Sequence, residues 1–226
     1  MIRQPTDHQL PTVLITGFDA FGGDTVNPSW LVAQALDGEI IQGHRIVAAQ
    51  LPTEFVTSRK VLAGLLRKHR PALVLCLGLA GGRARLSLER VAINVQDARI
   101  ADNAGAQPID QRIIARGPAA YFSTLPIKAM LQAIEAEGVP AEISQTAGTF
   151  VCNHIFYALM HHLTISVRQS PRSSRPPRGG FIHVPYLPVQ GTPYLPLDDM
   201  VRGLRAACAC ALTTDKDLAH GAGALN

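Results

Sequence analysis

The sequence predicts an α/β protein with a mostly parallel sheet covered by helices on both faces. Three observations predict it. Strand-like segments alternate with helix-like segments along the whole chain. The strand-like runs are short and continuously apolar, as in Ala72 to Leu79, which suits strands buried on both sides. Turns bearing glycine and proline punctuate the alternation. With 226 residues, 47% of them apolar, the chain can enclose a large core, and residues 1–226 are expected to form a single domain.

Taken in order, Thr12 to Thr16 reads as the first strand, and Gly17 to Gly23 as a glycine-rich loop. Asn27 is placed as an N-cap, with Pro28 at the first position of a helix reaching about Leu36. Arg45 to Leu51 is the second strand. Thr53 is placed to cap a helix whose residues Phe55, Val56, Val61, Leu62, Leu65 and Leu66 follow a 3.6 period and which Pro71 stops. Ala72 to Leu79 is the third strand and ends in Gly78–Arg83. Leu86 to Val95 reads as extended, with room for antiparallel strands, and residues 97–118 as loop. Ser123 or Thr124 is expected to cap a helix through Glu137, closed by Gly138. Ala141 to Ser144 is a short strand. A helix opens at about Cys152 and carries Phe156, Leu159, Met160 and Leu163 on one side. Ser166 to Arg178 is expected to be a basic surface loop, Gly180 to Val184 a strand, and Leu197 to Leu212 the last helix. Residues 1–11 and 213–226 are expected to be loose tails.

Composition narrows the function. The net charge of +4 comes from Arg168, Arg172, Arg175 and Arg178, all in one stretch; without them 17 basic residues face 17 acidic ones. No aromatic-rich basic stripe is present, so no nucleic-acid partner is expected. The four cysteines, Cys76, Cys152, Cys208 and Cys210, form neither a disulfide framework nor a zinc pattern, so no metal site is expected. Neither glycine-rich loop matches a nucleotide motif. No apolar leader and no run long enough to span a membrane is visible, so a cytoplasmic protein without a membrane partner is expected.

The chemistry centres on Ser144 to His154. There a strand turns into a helix, with Cys152 in the first helical turn. Free backbone N–H groups and the positive end of the dipole at that position favour a thiolate and suit an oxyanion. Position alone leaves Cys152 open between a nucleophile and a small buried core residue. Sites in open α/β sheets gather at the carboxyl ends of strands. Gly17–Gly23, Gly78–Arg83, Thr146–Cys152 and the turn after His183 are all expected there. His183, inside an apolar strand, could meet Cys152 as a base, and Glu89 could orient it; equally, His183 could be a core histidine, and Glu89 could pair with Arg90 or Arg99. His154, His161 and His162 read as surface or packing residues. A silent α/β binding protein and a phosphate-dependent nucleoside-cleaving enzyme are the alternatives from other classes.

Eight stretches carry a resemblance over about residues 12 to 190. They are TGFDAFGG at Thr16–Gly23, NPSW at Asn27–Trp30, GLAGGR at Gly78–Arg83, ERVAIN at Glu89–Asn94, DARIADN at Asp97–Asn103, GPAAY at Gly117–Tyr121, SQTAGTFVCNH at Ser144–His154 and GGFIHVPYLP at Gly179–Pro188. In these the chain resembles the pyroglutamyl peptidase I family of cysteine peptidases. The resemblance implies a three-layer α/β/α sandwich with a mixed central sheet and hydrolysis of the amide after an N-terminal pyroglutamyl residue, through a thioacyl-enzyme and without a cofactor. It implies Cys152 as nucleophile, His183 as acid/base and Glu89 as its orienter. It implies Phe18 and Phe21 flanking the pyroglutamyl ring, Asn27 and Leu79 beside that pocket, and Arg99 near the catalytic centre. It further implies pyroglutamylated peptides as partners and a homo-oligomer, often a tetramer. The chain departs from the family at Ala20 and Ala101, where proline is common, and at Leu79, where glutamine is usual.

Overall fold

The computed structural model describes residues 10–169 and 176–223. Its elements are β1 (Thr12–Phe18), α1 (Pro28–Ala35), β2 (Ile40–Ile41), β3 (His44–Leu51), α2 (Phe55–His69), β4 (Leu73–Leu79), β5 (Leu86–Glu89), β6 (Val91–Ile93), β7 (Ala120–Phe122), α3 (Ile127–Ala136), β8 (Ala141–Ser144), α4 (Val151–Gln169), β9 (Arg178–Val184) and α5 (Leu197–Thr213). Seven strands form one sheet in the order β2-β3-β1-β4-β9-β5-β8, and β6 pairs with β7 apart from it. Strands β3, β1, β4 and β9 run parallel, while β2 and the parallel pair β5 and β8 run against them. Among the described residues no helix is long and apolar enough to cross a membrane.

Strand periodicity divides the core into two layers. In β4, Leu73, Leu75 and Leu77 pack towards α1, α3 and α5, whereas Val74 and Cys76 pack towards α2 and α4. Val13 and Ile15 of β1 share the first layer, and Leu14 and Phe18 the second. Helices therefore cover both faces in a three-layer α/β/α sandwich. In β9, Ile182 and Val184 face the first layer and Phe181 the second. Alternation then puts His183 on the α2/α4 face, where the chemistry is built.

Helix starts follow the sequence only where the cap is local. Asn27 caps α1 as expected: its Oδ1 accepts from Ser29 N–H at 3.1 Å, and Pro28 takes the first position. Thr53 does not cap α2. Its N–H and hydroxyl both donate to Asp19 Oδ1 at 2.7 Å, and the Asp102 carboxylate, far along the chain, accepts from Phe55 N–H at 2.9 Å instead. Neither Ser123 nor Thr124 caps α3. Thr124 exchanges hydrogen bonds with Gly179, and the helix starts later, at Ile127. Asp217 serves that helix, accepting from Lys128 N–H and Ala129 N–H at 3.1 and 3.0 Å. Within the tail expected to be loose, Asp217 is thus tied to α3, and Lys128 Nζ also donates to the His220 carbonyl.

The expected basic loop is shorter than the sequence reading. Thr164 and Ser166 turn their hydroxyls back on the carbonyls of Met160 and His162, so these polar residues continue α4 to Gln169. Arg178 opens β9, and its guanidinium holds the carbonyls of Ala211 and Thr214 at the end of α5. Arg172 and Arg175 lie outside the described residues. The extended run expected from Leu86 to Val95 divides at Arg90: β5 joins the main sheet and β6 turns away to β7.

Candidate active site

Glu89 lies opposite Phe181 across the β5–β9 pair, and His183 lies opposite Ser87. Glu89 and His183 are therefore diagonal neighbours on one face. Glu89 Oε1 receives His183 Nδ1 at 2.7 Å. A carboxylate at Nδ1 calls for a proton there, which leaves Nε2 as the basic nitrogen. The same Oε1 also accepts from Arg83 Nη1 at 2.8 Å, so Glu89 pairs with Arg83 and not with Arg90 or Arg99. Glu89 is fully buried and its Oε2 has no hydrogen-bond partner among the described residues.

Cys152 reaches this pair over the face of the sheet rather than along its rim. Because β8 runs against β9, its carboxyl end lies beside Glu89, level with Phe181, and residues 145–150 carry the chain back to start α4. Sγ of Cys152 rests over Gly78, the register partner of His183; a Cβ on Gly78 would stand 2.8 Å from that sulfur. Gly81 gives way likewise to the Tyr186 hydroxyl. Both glycines serve close packing here, not the cradling of a phosphate.

The resting thiol departs from the sequence expectation. Burial, and then the Glu89 carboxylate, raise the Cys152 thiol well above its ordinary value; the Arg83 guanidinium pulls the other way but does not win. The helix start does not make Cys152 a resting thiolate. Cys76 and Cys208 are fully buried, and burial pushes both thiols up to about 12.

A small cavity of about 130 Å³ opens on Cys152. Phe18, Phe21, Asn27 and Leu79 line it. Arg99 does not: it is exposed on the 97–118 loop. Thr53, Phe150 and Val151 also line it and were not singled out from the sequence. Phe150 is the main omission. Its ring lies 5.2 Å from that of Phe21 and 5.3 Å, edge on, from that of Phe55. The available signal was its place two residues before the candidate nucleophile, where a pocket opening on the sulfur would find it. Asn27 is largely committed to the scaffold, with Nδ2 donating to the Asp19 carbonyl at 2.8 Å. A larger cavity, about 530 Å³ and lined from Arg59 to His162, holds none of the expected site residues. Among the described residues no cluster of His, Cys, Asp and Glu could hold a metal ion.

The pyroglutamyl peptidase family model matches residues 11–214. The chain belongs to the pyroglutamyl peptidase family. It is 56% identical to the pyrrolidone-carboxylate peptidase of Cupriavidus taiwanensis, over 96% of this chain and all of that one. It is 50% identical to the same-named protein of Escherichia fergusonii, over 95% of this chain and 99% of that one. Among solved structures it is similar to pyroglutamyl peptidase I from Bacillus amyloliquefaciens, with a TM-score of 0.87 and 45% identity over 94% of this chain and all of that one. The pyrrolidone carboxyl peptidase of Thermococcus litoralis is similar at 34% identity, with a TM-score of 0.85 over 92% of this chain and 97% of that one.

His154, two residues past Cys152 in this family member, is buried and couples the site region to pH. Its Nδ1 meets Gln96 Oε1 at 2.8 Å, its ring stands edge on to Phe55, and its Nε2 has no partner among the described residues. Burial, helped by the charge of Arg59, pushes it down to about 4. Below the ordinary value of 6.5 the unfolded chain takes up a proton that the folded chain refuses. Stability is therefore full above pH 6.5 and falls as the pH drops towards 4, by about 3 kcal/mol at 1.36 kcal/mol per unit. Urea unfolding of wild type and His154→Gln across that window is expected to show the loss flattened in the variant; parallel curves would remove His154 as its source.

Proposed function

We propose that this chain hydrolyses the amide bond that follows an N-terminal pyroglutamyl (5-oxoproline) residue, with Cys152 as nucleophile, His183 as acid/base and Glu89 as its orienter. The observation that carries the proposal is a small aromatic cavity opening on a cysteine whose sulfur lies beside a strand pair bearing a hydrogen-bonded Glu–His couple. A pyroglutamyl ring is flat, neutral and without a free α-amine. The faces of Phe18, Phe21 and Phe150 suit it, and a cavity of about 130 Å³ favours a five-membered ring over an extended side chain.

Because the thiol rests protonated, His183 Nε2 takes its proton as the sulfur attacks the pyroglutamyl carbonyl carbon. A C–S bond forms, and the carbonyl electron pair moves to oxygen. N–H groups of α4 ahead of His154, whose own N–H already donates to the Phe150 carbonyl, hold that oxyanion. The pair then returns, the C–N bond breaks, and His183 gives its proton to the leaving amine. Water next attacks the thioester while His183 takes a proton from it; the C–S bond breaks, His183 returns that proton to the sulfur, and pyroglutamate leaves the regenerated thiol. The proposal includes a cytoplasmic homotetramer acting on pyroglutamylated peptides without nucleic acid or membrane, with sedimentation of the purified chain as the check on its size.

The test is release of a fluorogenic amine from its pyroglutamyl amide and from the matching proline amide. Turnover of the first alone is expected; equal turnover of both, or of neither, would overturn the reading. Phe150→Ala is expected to lower kcat/KM on the pyroglutamyl amide about ten- to a hundredfold, the effect of about 1.5–3 kcal/mol of lost aromatic burial. An unchanged kcat/KM in a folded variant would place the ring elsewhere.

A further inference from the structure

Arg83 ends the glycine-rich loop after β4, where Gly82 takes a left-handed φ of 85° that turns the chain back towards β5. Its guanidinium has two arms and uses both. Nη1 donates to Glu89 Oε1 at 2.8 Å, and Nη2 donates to the carbonyl of Thr146 at 3.2 Å. Glu89 orients His183, and Thr146 lies in the 145–150 loop that delivers Cys152. One side chain thus joins the His183 side of the site to the Cys152 side. Its own side chain is 28% exposed, whereas Glu89 is fully buried, so it brings a charge to the carboxylate from the edge of solvent.

We infer that Arg83 is a positioning residue of the hydrolysis, spanning Glu89 and the nucleophile loop and offsetting the carboxylate's charge where a thiolate must form. The inference rests on the peptidase reading above. Its physical basis is the crowding of like charge. During attack a negative sulfur develops close to a buried carboxylate, and each disfavours the other. The charged and titratable groups that act on the sulfur are Glu89 from β5, Arg83 from the loop and Cys76 from β4; His183 of β9 is in register with Gly78 beneath it, and Asp24 is on the cavity wall. Among these Arg83 is the permanent cation. A lysine would supply a charge without the planar fork that reaches two acceptors.

The test compares wild type, Arg83→Met, Glu89→Gln and the double variant, with Arg83→Lys as the charge-conserving control. kcat and KM on the pyroglutamyl fluorogenic amide, and Cys152 alkylation by iodoacetamide, are followed across the pH range where imidazoles and thiols titrate. Arg83→Met is expected to lower kcat about ten- to a hundredfold with KM within about threefold, and to move Cys152 alkylation to higher pH. In the Glu89→Gln background the further loss is expected to be small, because Arg83 acts largely through that carboxylate. Arg83→Lys is expected to recover part of kcat. A kcat within about threefold of wild type, or the same loss in both backgrounds, would overturn the inference. If Arg83→Met fails to fold, Arg83→Lys decides: kcat and alkylation equal to wild type would overturn the spanning role, and a reduced kcat with KM kept would support it. If wild type itself releases no amine, the peptidase reading has failed. The alkylation profiles then decide separately whether Arg83 sets the surroundings of the thiol, an unshifted profile overturning that and a shifted one supporting it.

Discussion

Cys152→Ala is expected to fold like wild type and to lose turnover of a pyroglutamyl amide by roughly 10⁴-fold or more. In the proposed mechanism the sulfur is the atom that forms the acyl bond, and the neighbouring thiol, Cys76, is fully buried and does not line the cavity. The fold should tolerate the change. Cys152 is only a partly buried neighbour of the core, its sulfur sits over the side-chain-free Gly78, and α4 remains anchored by the buried Phe156, Tyr157 and Leu159. A thermal melt near wild type with no amine release is the expected pair of results. Activity above a few per cent of wild type in a preparation free of it would end the assignment. Alkylation offers a second check, since Cys76 and Cys208 are fully buried, while Cys152 opens on a cavity. Label should enter Cys152 first, and a bound lactam should slow it.

His183→Ala is expected to cost roughly 10²–10⁴-fold in kcat, the range for a lost general acid/base. The raised Cys152 thiol makes this dependence steeper than it would be for a resting thiolate. A sulfur that keeps its proton needs a base in every turnover, and in the proposed mechanism that base is His183. Glu89→Gln should cost less. Its Oε1 can still accept from His183 and Arg83, but the charge that steadies an imidazolium is gone, and the new amide nitrogen enters the place of a buried oxygen that has no partner. Steady-state kinetics on both variants check the order. A larger loss for Glu89→Gln than for His183→Ala would require the two roles to be reassigned.

What was legible in the sequence is what depends on neighbours along the chain. Strand alternation, the Asn27–Pro28 helix start and the turn before Cys152 are local, and the structure has them where the residues put them. The eight stretches shared with the family named Phe18, Phe21, Asn27 and Leu79, which line the cavity, and Cys152, His183 and Glu89, which the structure brings together. Apart from the α4 end, where Ser166 bonds back within the helix, the failures named here are non-local. Thr53 and Thr124 look like caps because they stand before helices, yet their hydroxyls are taken by Asp19 and Gly179, and carboxylates from Asp102 and Asp217 do the work. The thiol of Cys152 was read from its helix start, but burial and Glu89, which arrive from other elements, outweigh that. Arg83 and Phe150 were quoted within motifs without a role, because their partners become neighbours only when the sheet is assembled.

The place of β9 has a consequence for how the molecule comes into being. This strand lies between β4 and β5, pairing Leu73 with Arg178 and Glu89 with Phe181, although a long stretch of chain separates it from both. On a ribosome the half-sheet of β3, β1 and β4 and the pair of β5 and β8 emerge first, each with an unpaired edge where β9 belongs. Closing that gap brings together residues about a hundred positions apart, the kind of pairing that slows folding because loop closure precedes its reward. His183 rides on the strand that closes it. A nascent chain can therefore present the cysteine and the glutamate but not the proposed base, and on that reading peptidase activity is withheld until the two half-sheets have been joined.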